Sequence, residues 1–280
     1  MPELPEVETI RRDLDRELSG RVIERVVSEG ARSIRRHDPV EFVCRLLGRT
    51  VVTVDRRGKY LVFHLDEGAL VIHLGMSGQL LLASPELSLA RHTHVVLGFS
   101  GDRDLRFVDP RTFGEAFVSG PELGELSRLG VDPLSVVSAS QLGSMLAART
   151  TKLKPLLMDQ HFLAGIGNIY SDEILFTAHL RYDRSAATLT PTEVRRLYRA
   201  MVSILEAGIE HRGSSLSDEQ YRDVFGVTGS HQNHHQVYAR EGKPCRRCHQ
   251  PIIRVKLGGR STFLCPRCQP AILRDFGSSR

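Results

Sequence analysis

The pattern of hydrophobic and polar positions changes twice along the 280-residue chain. In residues 5–18 apolar side chains recur at helical spacing and Gly20 follows as a stop, which predicts a helix. From about residue 22 to 120, short apolar runs rich in valine and leucine alternate with glycines, as is typical of strands. Many short strands without intervening helices predict a β-sandwich or a barrel. The clearest runs are 50–54, 60–65, 70–73, 80–82 and 94–99.

The second change lies near Pro121, where helical periodicity begins. Thr190 followed by Pro191 is typical of a helix start, with the threonine as cap and the proline at the first helical position. Between 213 and 240 the chain is polar and irregular, and we expect a long flexible loop, of the kind that often has a function. Helices are predicted over about 121–129, 139–149, 154–162, 168–178 and 191–211.

Together these patterns predict an α+β protein. An N-terminal β-sandwich with flanking helices precedes a helical domain, with a boundary near 120–135, and a small cysteine-bearing β-hairpin ends the chain. A chain of this length suits about two domains with cores of their own. We expect the sandwich in 1–125, the helical domain in 135–225 and a terminal finger in 236–270.

The composition is that of a soluble globular protein, with 41% hydrophobic and 25% charged residues. No stretch approaches the ~20 apolar residues of a membrane span. The first residues lack a basic and then apolar signal peptide, because Glu3, Glu6 and Glu8 interrupt them. We therefore expect a cytoplasmic protein without a membrane partner.

The formal net charge of +5 favours a polyanionic partner, because lysine and arginine displace counterions from a phosphate backbone. Arginine supplies much of this charge, and its guanidinium suits bidentate contact with phosphate. Charge alone leaves a nucleic-acid partner and a merely basic surface equally open. Paired arginines occur at 35–36, 56–57, 195–196 and 246–247.

Four of the five cysteines form two Cys-x-x-Cys motifs separated by sixteen residues, Cys245 with Cys248 and Cys265 with Cys268. Two such knuckles complete a closed tetrahedral site suited to one structural Zn²⁺, with no position open for catalysis. The segment between them reads as a β-hairpin that turns at glycines 258–259 and carries several basic residues. The fifth cysteine, Cys44, lies in an apolar run and is expected to be a small core residue.

The chain starts Met1-Pro2-Glu3, and removal of the methionine would leave a secondary amine beside a carboxylic acid. An α-amino group titrates near neutral pH, so part of it is an unprotonated nucleophile that can form a Schiff base. Most chains that begin this way make no use of it, and Glu3 could simply favour a helix dipole. The terminal amine is therefore a candidate reagent that needs support from elsewhere in the chain.

Residues 163–170 join two apolar helical segments through Gly165 and Gly167. Glycines permit close approach of the backbone, and the following helix start directs amides towards an anion such as a DNA phosphate. The default interpretation is an ordinary helical hairpin, since one Gly-x-Gly is a weak motif. Nearby basic residues favour the anion modestly.

Several separate segments resemble the formamidopyrimidine-DNA glycosylases. The segments are 1–9, 57–61, 73–78, 109–114, 157–170 and 259–262, and the four-cysteine finger. Residues 157–170 are similar to the helix–two-turn–helix of that family. The resemblance implies a monomeric base-excision repair enzyme that acts on double-stranded DNA containing an oxidised base or an abasic site. It would remove oxidised purines, chiefly 8-oxoguanine and formamidopyrimidines, and then nick the strand.

The resemblance also implies roles for particular residues. Pro2 would be the nucleophile that attacks the sugar, and Glu3 the acid that assists ring opening. Lys59 matches the lysine associated with β-elimination, and Arg260 the arginine associated with δ-elimination. The side chains that would fill the space of a flipped-out base are Met76, Arg111 and Phe113, and those that match phosphate contacts are His92, Arg149, Lys154 and Asn168.

Two alternatives to the purine enzyme remain. The sister branch removes oxidised pyrimidines and tends to have glycine after Pro-Glu, whereas this chain has Leu4. A catalytically silent DNA-binding protein with a zinc finger is the other. The histidine-rich stretch with His231, His234 and His235 departs from the family pattern. It could be a second metal site or a pH-sensitive phosphate contact, and we expect a solvated polar loop.

Overall fold

A computed structural model describes residues 2–28, 32–101, 103–136, 138–216 and 220–271. The chain forms two compact units. The first comprises Met1–Asp132, Gln160–Ile166 and Leu205–His234, and the second Pro133–Asp159, Gly167–Ile204 and His235–Arg280. Because Gln160–Ile166 and Leu205–His234 belong to the first unit, neither unit is a single continuous stretch of the chain. Among the described residues, no helix is long and apolar enough to cross a membrane.

The first unit is the predicted β-sandwich with flanking helices. Its two antiparallel four-stranded sheets have the orders β1-β6-β7-β5 and β2-β3-β4-β8. The elements are α1 (Leu4–Leu18), β1 (Ile23–Ser28), α2 (Pro39–Leu46), β2 (Val51–Arg57), β3 (Tyr60–Leu65), β4 (Ala69–His73), β5 (Gln79–Ala83), β6 (Thr93–Phe99), β7 (Arg103–Val108) and β8 (Glu115–Ser119).

Burial on both faces explains the continuous apolar runs of this unit. Leu61 and Phe63 of β3 join the main core together with Ile10 and Leu14 of α1, all with no exposed surface. Val62, which points to the opposite face, is buried in a second cluster with residues of β4 and β8. A strand covered on both sides does not alternate between apolar and polar residues.

The second unit contains the predicted helices and the terminal hairpin. Its helices are α3 (Ala139–Ala147), α4 (Leu153–Leu157), α5 (Asn168–Thr177) and the first part of α6 (Pro191–Glu210). Strands β9 (Ile253–Leu257) and β10 (Arg260–Leu264) pair antiparallel around the predicted glycine turn. The second unit also contains short 3₁₀ turns at Pro133–Ser135 and Ala186–Thr188, and two further 3₁₀ turns, Gly124–Leu126 and His231–His234, belong to the first unit.

Three local predictions are wrong. No helix covers 121–129, where Leu123 adopts a left-handed conformation with φ of 49° and only a 3₁₀ turn follows. The helix expected at 154–162 ends at Leu157, and Phe162 is buried in the turn beyond it. Cys44 is exposed on α2, a helix that the sequence pattern missed and that buries Phe42 and Leu46 on its other side.

The segment after α6 is irregular, as predicted, but the described parts are not a solvated loop. His231 is only 3% exposed, and its ring stacks with those of His211 and His234. The His211 and His234 rings lie 3.9 Å apart and nearly parallel at 8°. Parallel rings cannot direct their nitrogens at one ion, and the only metal-binding cluster in the described residues is the cysteine quartet. The expected solvated loop is therefore wrong, and the described residues give no support to the alternative of a second metal site at these histidines.

The histidine stack makes the stability of the first unit depend on pH. Burial, and then the neighbouring His211 and His234, lower the pKa of His231 to about 4 from 6.5. The unfolded chain takes up a proton near pH 6.5 while the folded chain resists it, so the free energy of unfolding falls as pH drops from 6.5 to about 4. His231→Phe should remove the contribution of His231 and so reduce the slope of this dependence, measured by urea unfolding at pH 7.5, 5.5 and 4.5.

A matched control for this prediction is His64→Phe, which alters a half-buried histidine on β3 outside the stack. The control should keep the pH dependence of the wild type. Equal slopes for the two variants would contradict the assignment of the effect to His231.

Candidate active site and metal centre

The first residues of the chain are held rigidly at the start of α1. Pro2 is buried and Glu3, 2% exposed, is the N-cap of the helix. Glu3 and Glu6 form a capping box, in which the Glu3 backbone N–H donates to Glu6 Oε2 at 2.8 Å. Glu6 Oε1 also accepts the backbone N–H of Ser214 at 2.7 Å. Glu3, which directly follows Pro2, is therefore fixed by the first turn of α1.

Lys59 lies in the turn between β2 and β3 and is 7% exposed. Gly58 precedes it with φ of 59°, and a Cβ there would lie 2.9 Å from the Cβ of Ala164. Gly165 has φ of 118°, and its Cβ would lie 2.9 Å from the Cβ of Leu4. The consecutive residues 164 and 165 therefore pack against both the lysine turn and the start of α1. This contact gathers Pro2, Glu3 and Lys59 in one region of the first unit.

Arg56 stabilises the lysine turn, although sequence reasoning noted it only as a member of an arginine pair. Its guanidinium donates to the Gly58 carbonyl at 3.0 Å and pairs with Glu8 at 3.1 Å and Asp132 at 2.7 Å. Burial alone would raise the pKa of Glu8, but hydrogen bonds from Arg11 and Arg12 and the charge of Arg56 bring it below its ordinary value. Glu8 thus remains an anion that ties α1 to this turn.

His73 is a further residue beside the lysine turn that the sequence analysis did not single out. Burial, and then the charge of Lys59, lower its pKa to about 4. The ring is therefore neutral at pH 7, and its Nδ1 accepts the Gly75 backbone N–H at 3.2 Å. The sequence offered one indication of His73, because it is the first residue of the segment 73–78 that resembles the glycosylase family.

Met76, Arg111 and Phe113 lie on two turns that pack back to back. Met76 is 41% and Phe113 55% exposed, and the Arg111 guanidinium lies 4.8 Å from the centre of the Phe113 ring. A Cβ on Gly75 would lie 2.5 Å from the Gly114 nitrogen, so only glycine allows the two turns to approach this closely. Large exposed side chains on closely packed turns are poorly explained by a role in the core.

Asp109 organises the second of these turns and was missed as a functional residue. It is fully buried and accepts from Ser77 Oγ at 2.6 Å, the Arg111 N–H at 3.2 Å and the Gly114 N–H at 2.8 Å. Its own N–H donates to the carbonyl of His92, an exposed residue. Asp109 therefore links the predicted phosphate contact at His92 to the turn that carries Arg111.

The remaining predicted site residues lie in the second unit. Arg149 and Arg260 are exposed, and the Arg260 Nη1 lies 3.9 Å from Met158 Sδ. Asn168 is the first residue of α5, and its Oδ1 is buried without a hydrogen-bond partner. The described residues therefore supply no donor to this side-chain oxygen at the helix start.

For Lys154 the structure corrects the expectation of a direct phosphate contact. The side chain is 1% exposed, and its Nζ lies 2.8 Å from Asp172 Oδ1. Nζ also donates to the Ser261 carbonyl at 3.0 Å and to Thr262 Oγ1 at 2.9 Å. A phosphate could reach this ammonium only by displacing one of these protein groups. Burial of Lys154, which its position in the sequence does not reveal, therefore rules out the expected direct contact with phosphate.

The cysteine quartet has the geometry of a zinc centre. The four Sγ atoms lie within 4.8 Å of one another, with Cys248 and Cys265 at 3.4 Å and Cys245 and Cys268 at 4.0 Å. Zn–S bonds of ~2.3 Å in a tetrahedron require sulfur atoms about 3.8 Å apart, so these residues fit one zinc ion. Backbone N–H groups of both knuckles point at Cys245 Sγ and Cys265 Sγ at 3.4 Å.

Three family models match successive parts of the chain. The formamidopyrimidine-DNA glycosylase N-terminal domain matches residues 1–116, and the H2TH domain of the same enzymes matches 129–220. A zinc finger found in FPG and IleRS matches 242–271. The matches thus cover the terminal proline, the lysine turn, the helix–two-turn–helix and the cysteine quartet.

Named relatives and solved structures agree with these models. The formamidopyrimidine-DNA glycosylase of Herpetosiphon aurantiacus is 43% identical over 96% of this chain and 100% of its own length. That of Moorella thermoacetica is 48% identical over 91% of this chain and 95% of its own. The MutM (FPG) protein of Thermus thermophilus has a TM-score of 0.85 at 42% identity, covering 96% of this chain and 98% of that one.

A second group of solved structures contains DNA. The Lactococcus lactis FPG (MutM) in complex with a Fapy-dG containing DNA has a TM-score of 0.87 at 32% identity, covering 96% of this chain and all of that one. The same protein with an abasic site containing DNA has a TM-score of 0.88. With the family models matched along most of its length, the chain belongs to the formamidopyrimidine-DNA glycosylase family, and it is a DNA glycosylase of base-excision repair.

Proposed function

We propose that this protein is a bifunctional DNA glycosylase and AP lyase that removes oxidised purines and then cleaves the strand by β,δ-elimination. The observation that carries the proposal is the packing of Ala164 and Gly165 against Leu4 and Gly58. The start of α1 and the lysine turn contact the same two residues, which supports a site where the Pro2 amine, the Glu3 carboxylic acid and the Lys59 cation act on one sugar. The solved relatives with Fapy-dG and abasic DNA support DNA as the substrate.

In the proposed reaction the Pro2 nitrogen bonds to C1′ of the damaged nucleotide as the C1′–base bond breaks and the electron pair leaves with the base. Glu3 supplies the proton that the ring oxygen takes up when the sugar opens to an iminium ion. The iminium makes the C2′ proton acidic, and its loss expels the 3′ phosphate in the β step. Lys59, in the turn beside α1, stabilises the departing phosphate.

The second elimination removes the C4′ proton and expels the 5′ phosphate, which leaves a gap flanked by phosphates. Arg260, exposed next to the hairpin turn, is assigned to this step. The zinc ion bound by the four cysteines has a structural role, because its four thiolate ligands leave no open position. The metal therefore supports the finger that carries Arg260 rather than the chemistry itself.

The target base is stacked within the duplex and must leave it before Pro2 can reach the sugar. We assign Met76, Arg111 and Phe113 to the space it vacates. Met76 and Phe113 are exposed apolar side chains that can wedge between bases, and the Arg111 guanidinium can hydrogen-bond to the orphaned base. Leu4 and the Arg111–Phe113 turn favour oxidised purines over the pyrimidine substrates of the sister branch.

Lesion preference is tested with duplexes containing 8-oxoguanine, a formamidopyrimidine or an oxidised pyrimidine, each opposite all four bases. Faster excision of the purine lesions supports the proposal. Preference for pyrimidine lesions would assign the protein to the sister branch, and binding without excision would identify a silent DNA-binding protein.

Blocking the terminal amine should abolish excision. The amine is the proposed nucleophile, so protein that retains an N-terminal tag should lose base removal and borohydride-trapped adduct while still binding DNA. The matched control is the same preparation after the tag is cleaved to expose Pro2. Normal excision by the tagged protein, or an adduct that maps to another side chain, would contradict the Schiff base at Pro2.

Loss of one zinc ligand should unfold the finger. Cys248→Ser removes one of four thiolates, and because metal binding and local folding are linked, zinc content should fall and DNA affinity should weaken by about tenfold or more. Zinc is measured by atomic emission and affinity by fluorescence anisotropy. Cys44→Ser, an exposed cysteine on α2, should leave both unchanged. Full DNA affinity in zinc-free Cys248→Ser would refute the prediction.

A further inference from the structure

Helix α5 contains two consecutive buried acids that accept hydrogen bonds from different parts of the finger. Asp172 and Glu173 are each 1% exposed. Asp172 Oδ2 accepts the backbone N–H of Phe263 in β10 at 2.9 Å. Glu173 accepts three consecutive backbone N–H groups where the chain enters the finger, those of Gln236, Val237 and Tyr238, at 2.8–2.9 Å. One helix therefore anchors both the entry and the inner strand of the finger.

Lys154 links Asp172 to the residues next to the hairpin turn. Besides its ion pair with Asp172, it donates to the Ser261 carbonyl and to Thr262 Oγ1. The ammonium thus donates to two oxygen atoms of the finger and has the Asp172 carboxylate as its counter-ion. A lysine buried to this extent is costly unless its charge and all its donors are satisfied. Lys154 can therefore stay buried only while Ser261 and Thr262 keep their positions beside it.

Ser261 and Thr262, the two residues to which Lys154 donates, come immediately after Arg260 in the chain. The Cβ positions of Gly258 and Gly259 in the turn meet nothing within 4 Å, so the turn itself is not packed. Thr262 has no exposed surface, whereas Arg260 is exposed beside Met158. The location of the Arg260 guanidinium is therefore set by the strand just behind it, at the contacts with Lys154.

The base of the finger has independent supports. Phe176, Val237, Ile252 and Phe263 form an apolar cluster with the cysteines, and Gln269 donates to the Leu180 carbonyl at 2.8 Å. The zinc site and the Glu173 contacts also lie at this end. Loss of Lys154 would therefore leave the finger folded and attached while its tip is freed.

We propose that Lys154 and Asp172 are a positioning pair that holds Arg260 in place for the second, δ, elimination. The inference rests on the proposed function, because it assigns the pair to one step of that reaction. Lys154 does not touch DNA in this role and acts through Ser261 and Thr262. A displacement of the guanidinium by about 1 Å can slow such a step by up to roughly 100-fold.

Two variants separate positioning from folding. Lys154→Met with Asp172→Asn removes both charges together, so neither remains buried alone, and the asparagine oxygen can still accept the Phe263 N–H. Thr262→Val keeps the size of the side chain and removes only the Oγ1 that accepts from Lys154. The matched control is Lys152→Met, which removes an exposed lysine two residues earlier at the start of α4.

Each protein is incubated with a duplex that contains one abasic site, and the β and β,δ products are separated on a denaturing gel over time. Zinc content and borohydride trapping at Pro2 are measured in parallel. We expect both variants to keep zinc and trapping, and to accumulate the β product because the δ step is about 10- to 100-fold slower. Lys152→Met should retain the wild-type ratio of products.

Three results would overturn the positioning pair. One is a wild-type product ratio in both zinc-loaded variants. Another is loss of zinc from both, which would assign the pair to the metal module as a whole. The third is weaker DNA binding in the Lys152 and Lys154 variants alike with an unchanged ratio, which would restore a phosphate role. Absence of any trapped adduct in the wild type would instead refute the proposed function itself.

Discussion

The arrangement of the first unit depends on one close contact between backbone segments. Ala164 and Gly165 approach Gly58 and Leu4 so closely that a Cβ at either glycine would lie 2.9 Å from a carbon atom. The Leu4 N–H donates to the Gly165 carbonyl at 3.0 Å, which fixes the start of α1 against this turn. The proposed role of the Pro2 amine requires that the start of α1 does not fray, and this contact holds that helix start in place.

Buried charges then orient the turns that carry the functional groups. In the first unit Arg56 joins Glu8 and Asp132 to the carbonyl just before Lys59. In the second unit Lys154 joins Asp172 to the two residues just after Arg260. Buried ion pairs contribute little net stability compared with apolar packing, but they specify geometry because each partner must be met. Lys59 and Arg260, the two cations predicted to act in the eliminations, thus each lie next in the chain to residues that such an ion pair holds.

Much of the fold and of the candidate site follows from local patterns. The β texture, helices α1, α5 and α6, the glycine turn of the finger and the zinc quartet are all present in the structure. The errors share a cause. The helix at 121–129 was inferred from local periodicity, the core position of Cys44 from its apolar neighbours and the solvated histidines from local polarity. Leu123, Cys44 and His231 instead take their state from surrounding elements.

The amino-acid sequence by itself determined the candidate groups: Pro2 beside an acid, Lys59 and Arg260 next to glycines, and four cysteines whose spacing indicates a tetrahedral site. These are local properties, set by residue type and by separations of a few positions. The tertiary structure decided which groups are buried and what they touch. It turned Lys154 from a predicted phosphate contact into an internal link to the finger, because burial depends on residues that are far apart in the chain.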